Sequence, residues 1–488
     1  MRPLFANKVL RNTLALFSGQ SGAQLLALAF AAYLSKHVPT DAYGSLAFAL
    51  RFTVLFNVLS EYGLWTLLVR NMARDRTTAR EHFWNSLALK LALAVLAAAL
   101  GGLTLLLFYP AHDLRVLCAL AGGWLLFNAW YFSAAAVFRA FQEHHLDGTL
   151  SFFGKLLYVG AGLIVIHTVR DVRWIALIFT LAMAVQCAVA LTLVFIRHPD
   201  FRFAFSLAQQ RYLLRHAWLF FVISAFTTLN LSFAIMVIGC YCSRSDIGYY
   251  NVAAQLVLVP IVLANAFVQS MYPVLSECHE RGDDAFWPKV RLGMRWLAAL
   301  AFPVIFFMSL DGGRIISTVF RKEFVAGLLP MQILLWGLGL DFFNPFSGHV
   351  LYVLNRQKLV IAITAASVVT TVVATLVLVK YFGIVGASCA MVISLSVMFW
   401  GYALALRRWL PIRTLLAQIA PPLLVAVIFA PAAWSLRACA PFWVNGPVYC
   451  FLCACAMFGF RLLRQEDLRM FASPATKPVP PEVEIEPV

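Results

Sequence analysis

The chain has 488 residues, 62% hydrophobic and 12% charged, with a formal net charge of +16. Soluble domains average about 45–50% apolar and about 25% charged residues. Half that charge density cannot cover a soluble chain of this length, which excludes a soluble enzyme, a disordered protein and a nucleic-acid-binding domain and leaves an integral membrane protein.

A span needs roughly 20 mostly apolar residues. Fourteen stretches qualify, near 10–34, 43–68, 82–109, 113–137, 150–169, 173–196, 216–241, 250–274, 287–310, 326–354, 358–380, 384–406, 412–436 and 443–462. Only helices or closed barrels satisfy backbone hydrogen bonds in lipid. Runs this long and this continuously apolar predict helices, because barrel strands are about 10 residues with alternating polarity. The first stretch follows Arg2, Lys8 and Arg11. It is too long for a signal-peptide core of about 7–15 residues and is expected to be a retained span.

The loop from Arg197 to Arg215 reads as the longest basic connection between spans, an amphipathic segment suited to an anionic membrane surface. It suggests a six-span lobe over 1–196, a linker over 197–215 and a second six-span lobe over 216–408. Two further spans follow over 409–465, then a Pro- and Glu-rich tail over 466–488, expected to be disordered. A weak repeat supports two equivalent halves. Asp41-Ala-Tyr-Gly44 follows span 1 and Asp246-Ile-Gly248-Tyr follows span 7, each opening a helix. Internal repeats of this kind mark transporters.

The even span number puts 25 Lys and Arg on one face, 10 on the other and three within spans. The positive-inside rule then places both termini in the cytoplasm. Most of the excess charge is therefore topological and gives no reason to expect a nucleic-acid partner.

Ionisable groups inside spans are expensive and need an explanation. Arg51 lies about 12 Å from the outer end of span 2, at 1.5 Å per residue, too deep to snorkel easily. Lys90 lies about as deep in span 3, from the inner end. Lys155 is only about 8 Å inside span 5 and within snorkelling reach. These three are the candidate cavity cations, with structural ion pairing or snorkelling as the alternative. Two acids, Glu61 and Asp341, lie clearly within spans. Both are candidate counter-ions or ion-coupling groups, and ion pairing is the preferred reading for Glu61. Polar stripes of Gln20 and Gln24 in span 1, and of Asn265 and Gln269 in span 8, face protein or water. They serve as interhelical hydrogen bonds or as donors to a sugar.

Of ten cysteines, Cys450, Cys453 and Cys455 have metal-like spacing but lie in an apolar helix, and read as buried thiols. No GxxxxGK, HExxH or GxSxG pattern occurs. The longest outer connection, roughly Asp311 to Phe324, is too short to hold a polymerase or ligase active site. The chain therefore reads as a non-enzyme without metal or cofactor.

Several segments resemble a known family. Leu10 to Gln24, the Tyr43-Gly44 turn, Glu61-Tyr-Gly-Leu-Trp through Arg74-Asp, Ile247-Gly-Tyr-Tyr-Asn, Asn355-Arg-Gln-Lys358 and Phe382-Gly-Ile-Val-Gly-Ala are similar, in order and spacing, to Wzx-type polysaccharide flippases. These belong to the MOP exporter superfamily with MATE drug exporters and MurJ lipid II flippases. The resemblance implies two six-helix lobes facing each other in a V, with two extra C-terminal helices. It implies an undecaprenyl-diphosphate-linked oligosaccharide as substrate, moved from the cytoplasmic to the periplasmic leaflet of a bacterial inner membrane. The remaining partners it implies are membrane lipids, with a polymerase and a chain-length regulator of the same pathway as candidates. Arg51 matches a position where such flippases carry an arginine. The stretch around Gln255 and the position of Asn230 lack charges common in relatives, so the coupling ion stays open. A lipid II flippase is the nearest alternative, and a MATE-like exporter of cations is disfavoured by Arg51 and Lys90.

Overall fold

The computed structural model describes Gly22 and residues 26–169 and 171–463. Among these the regular structure is all helical. Among the described residues, twelve helical stretches are long and apolar enough to cross a membrane, and one of them holds two of the predicted spans. Most of span 1, with Gln20 and Gln24, lies outside the described residues, as does the tail.

The chain divides into two compact units, one ending at Asn251 and one starting at Val252. The first unit contains α1 (26–37), α2 (Thr40–Glu61), α3 (Leu64–Arg74), α4 (Ala79–Phe108), α5 (His112–Gly122), α6 (Trp124–Ala140), α7 (His144–Thr168), α8 (Val172–Arg197) and α9 (Leu207–Tyr241). It also takes the first half of α10 (Arg244–Leu258). Span 2 breaks into α2 and α3 where Tyr62 and Gly63 adopt left-handed φ of 49° and 66°. The connection between spans 6 and 7 is non-helical only over 198–206, because α9 begins at Leu207 behind Ser206, whose side chain accepts from the Gln209 N–H. That short stretch is pinned to α4: Trp84 donates to the Phe201 carbonyl at 2.9 Å, and the Ser206 N–H donates to Asn85 Oδ1 at 2.9 Å. The core of this unit gathers Leu64, Leu67, Phe83, Val137 and Phe138, none of them exposed.

The second unit comprises the rest of α10, then α11 (Ile261–Glu280), α12 (Phe286–Val319), α13 (Leu328–Asp341), α14 (Asn344–Val353), α15 (Gln357–Leu406), α16 (Ile412–Cys439) and α17 (Phe442–Gly459). The 50-residue α15 contains spans 11 and 12, joined at Gly383 with φ 55° and ψ −134°. A residue with a Cβ is strained there, so glycine permits the turn. The final pair packs on α12 around Val425, Tyr449, Cys453 and Met457. Cys453 is fully buried in that apolar cluster.

One expectation is overturned. Residues from Asp311 onward do not form an outer loop, because α12 continues to Val319. Helix continuation carries Asp311 into the protein, where it is 1% exposed. A hydropathy window stops at a charge even where the helix does not, because the backbone ladder is indifferent to the side chain.

Candidate functional site

The charged residues within the spans of the first unit separate into three environments. Arg51 stands mid-way along α2, half-buried, with no hydrogen bond or ion pair among the described residues. Helical side chains lean toward the N-terminus of their helix, and for Arg51 that direction leads toward Tyr43. The phenols of Tyr43 and Tyr250 are its electrostatic neighbours, and both rings are buried. Asn251 Nδ2 donates to the Tyr43 hydroxyl at 3.4 Å. The two repeated sequence motifs meet at this point. A Cβ on Gly44 would stand 1.8 Å from the Arg244 carbonyl oxygen, so only glycine allows the backbones this close. Ser245 Oγ donates to Asp41 beside it.

Lys90 is enclosed by protein. Its side chain is 0% exposed, and Nζ donates to Glu61 Oε1 at 2.9 Å, Glu61 Oε2 at 2.8 Å and the Ala129 carbonyl at 3.0 Å. Glu61 Oε1 also accepts from the Trp65 N–H at 2.9 Å. All three ammonium protons are thus satisfied by acceptors on α2 and α6, which ties α4 to both. The group ties helices together and does not face open space. Beside it Asn128 donates to Asn57 Oδ1 at 3.0 Å.

Lys155 on α7 is in the third environment. It lines a half-open pocket of about 270 Å³ between α6, α7 and α8, and has no hydrogen bond or ion pair among the described residues.

The remaining candidates are scattered. Asn265 and Gln269 are both exposed one turn apart on α11. Asp341 ends α13, half-buried, with no hydrogen bond or ion pair among the described residues. Gln20 and Gln24 lie outside the described residues.

Two polar clusters escaped the sequence reading. Asp147 pairs with Arg139 at 2.6 Å and accepts from the Tyr131 hydroxyl at 2.9 Å, while the Arg139 guanidinium lies 4.6 Å from the Trp65 ring centroid. In the second unit, Asp311 Oδ1 lies 3.3 Å from Arg314 Nη1 and 3.2 Å from Arg437 Nε, and Oδ2 accepts from Asn445 Nδ2 at 2.5 Å. Three helices, α12, α16 and α17, therefore meet on one buried carboxylate. Both clusters join residues assigned to loops from their charge, so composition gave no signal for either.

Long apolar helices with a few satisfied or isolated charges at membrane depth define a multi-pass helical membrane protein. Solved structures agree on the fold. The chain is similar to the lipid II flippase MurJ in an inward closed conformation, with TM-score 0.74 and 12% identity over 93% of this chain and all of the other. It is also similar to a multidrug resistance MATE family transporter of the MOP superfamily, inward-facing, with TM-score 0.66 and 16% identity over 79% of this chain and 96% of that one. At these identities the likeness establishes the fold alone.

The model of the family described as polysaccharide biosynthesis protein matches residues 9–279, more than half of the chain, and the chain belongs to that family. A curated relative from Haloferax volcanii, "Probable low-salt glycan biosynthesis flippase Agl15", is 24% identical over 254 residues, 51% of this chain. The match spans about half of that relative, 52% of its length.

Proposed function

We propose that this protein is a flippase that carries an undecaprenyl-diphosphate-linked oligosaccharide from the cytoplasmic to the periplasmic leaflet. The oligosaccharide would serve exopolysaccharide, O-antigen or capsule synthesis. The observation that carries the reading is Arg51, an intramembrane cation left without an acid among the described residues. A diphosphate and a row of hydroxyls cannot cross about 30 Å of hydrocarbon unaided. A guanidinium suits a diphosphate because its planar fork of donors matches two phosphate oxygens. The polyprenyl tail stays in lipid while alternating access inverts the polar cavity. Family membership supports a polysaccharide pathway, and the name of the Haloferax relative supports flipping of a glycan. The cation asymmetry supports cytoplasmic termini, and the flippase reading carries with it a bacterial inner membrane and, as further partners, a polymerase and a chain-length regulator. Residues 1–196 and 216–408 are proposed as its two functional lobes.

The test is lipid flipping in proteoliposomes with a fluorescent polyprenyl-diphosphate oligosaccharide. Wild type should move it, and Arg51→Ala should lose at least ten-fold in rate while still reaching the membrane. Undiminished flipping by Arg51→Ala overturns the assignment. The fold similarity to MurJ supports a second reading, lipid II as cargo. Flipping of lipid II in preference to oligosaccharide lipids would select it.

A further inference from the structure

A pocket on the cation-rich face of the first unit carries charges of both signs that no protein group pairs. It is half-open, with a volume of about 510 Å³, and lies where the 3₁₀ turn Arg76–Thr78 and the start of α4 meet the ends of α6 and α8. Arg76, Arg80, Glu81 and Asp200 line it. None of these four side chains has a hydrogen bond or an ion pair among the described residues. Arg76 lies over the Phe141 ring, 5.1 Å from its centroid, which leaves its N–H donors unused. Arg80 and Glu81 are consecutive on one helix, and residues at that spacing do not face each other.

The other charges nearby are already matched. Arg197 pairs with Glu143 at 2.7 Å. Asp75 accepts from the Thr77 N–H at 2.9 Å and the Thr77 hydroxyl at 2.7 Å. Burial pushes the His198 imidazole below its ordinary range, so it adds no charge at pH 7. Its Nε2 is shut off from solvent without a hydrogen-bond partner. Two cations, two carboxylates and one vacant imidazole nitrogen therefore share one hollow.

A ligand that uses both signs must carry both. A lone anion would meet the arginines but also the two carboxylates, and like charges brought together are costly. A phosphate diester joined by two carbons to a primary ammonium fits: the phosphate takes the planar forks of the arginines, and the ammonium brings three donors for the acids. The volume equals that of about seventeen liquid waters, room for such a headgroup. The surroundings place it at a bilayer surface. Phe201 in the pocket wall packs on Phe83 at 5.6 Å, and Phe83 on Phe195 at 6.1 Å. Trp84 stacks on Phe195 at 5.7 Å and meets Phe203 at 5.3 Å. Phe195 and Phe203 are 39% and 69% exposed. An aromatic cluster built on a tryptophan at the end of a span marks the membrane–water interface, and charged pockets at that level take lipid headgroups.

We propose that this pocket binds a zwitterionic aminophospholipid of the phosphatidylethanolamine type. Its phosphate is held by Arg76 and Arg80, its ammonium by Glu81 and Asp200, and its acyl chains run along Phe195 and Phe203. The lipid ties the stretch over 198–206 to the turn before α4. It is a component of the bilayer and not cargo, and the site uses none of the residues proposed to hold cargo, so the inference stands or falls apart from the flippase reading.

Native mass spectrometry of the delipidated full-length protein, titrated with dioleoyl phospholipids, tests it. One phosphatidylethanolamine per chain should bind at least ten-fold tighter than phosphatidylcholine, whose ammonium has no N–H, and at least ten-fold tighter than phosphatidylglycerol, which has no ammonium. Arg76→Gln with Arg80→Gln should weaken phosphatidylethanolamine at least ten-fold. Glu81→Gln with Asp200→Asn should reverse the preference, so that phosphatidylglycerol binds tighter. The wild-type comparison decides the matter even where a variant misfolds. Equal affinity for the three lipids overturns the inference, as does a preference that neither double variant alters. Phosphatidylglycerol binding tightest to wild type overturns it in favour of an anionic-lipid site. Soluble glycerophosphoethanolamine binding as tightly as the lipid overturns the bilayer as the source of the ligand.

Discussion

Replacing Glu61 should destabilise the first unit more than removing Glu61 and Lys90 together. In the native chain Lys90 Nζ is fully buried and has three acceptors, two of them on Glu61. Glu61→Gln removes the negative charge and leaves a buried cation with the Ala129 carbonyl and at most one amide oxygen. Breaking a buried pair from one side costs about 3–5 kcal/mol. At about 2–4 °C per kcal/mol for a unit of this size, the melting temperature in detergent should fall by about 6–20 °C. The double variant Glu61→Leu with Lys90→Met removes both charges, and apolar replacement of a buried pair is often neutral or stabilising. It leaves the Trp65 N–H and the Ala129 carbonyl short of a partner, at about 1–3 kcal/mol each where no water reaches them. Against these costs stand the removal of the buried unpaired charge and the about 1–4 kcal/mol that apolar replacement of a buried pair can return, so the double variant should recover part of the loss. Fluorescence-detected thermal unfolding of the single and double variants measures the coupling. A double variant no more stable than Glu61→Gln refutes the reasoning. The same pair tests whether Lys90 touches cargo: a well-folded double variant should still flip lipid-linked glycan, and loss of flipping at unchanged melting temperature would return Lys90 and Glu61 to substrate or ion handling.

Asp311→Ala should loosen α16 and α17 from α12, because it strands Arg314, Arg437 and Asn445 around an emptied site. Maleimide labelling at Cys453, 0% exposed in the folded chain, should rise at least several-fold, and unchanged labelling would count against the clamp. Asn265→Ala with Gln269→Ala should leave the melting temperature within about 2–4 °C, as surface substitutions usually change stability by no more than about 0.5 kcal/mol each. A lower flipping rate in that variant would show that this exposed face of α11 contacts cargo, and an unchanged rate would show that it does not.

Much of this protein was legible from composition and spacing. Spans are written in the sequence because lipid cannot hydrogen-bond a backbone, so each crossing must be one long apolar helix. The Lys and Arg census could point to Arg51, Lys90 and Lys155 for the same reason, since charges at membrane depth are rare. What each of the three does was not legible. Lys90 and Glu61 are 29 positions apart on different helices, and their pairing exists only once α2, α4 and α6 pack. Asp311 reads as a loop residue until Arg437 and Asn445, over a hundred positions later, close around it. Span edges failed where charge and helix part company, as at Asp311, and internal breaks such as Tyr62-Gly63 lie within one apolar run.

By itself the sequence determined the class of protein and the short roster of intramembrane charges, because desolvation acts on each residue type wherever it lies along the chain. Only the tertiary structure decided which of those charges are neutralised and which stay open. Lys90 is consumed by a carboxylate from another helix, while Arg51 and Lys155 have no hydrogen bond or ion pair among the described residues, and Lys155 lines a half-open pocket. That difference depends on which acids the packing brings within about 3 Å of each ammonium or guanidinium, the range of a charge-assisted hydrogen bond, and no periodicity along one helix encodes it.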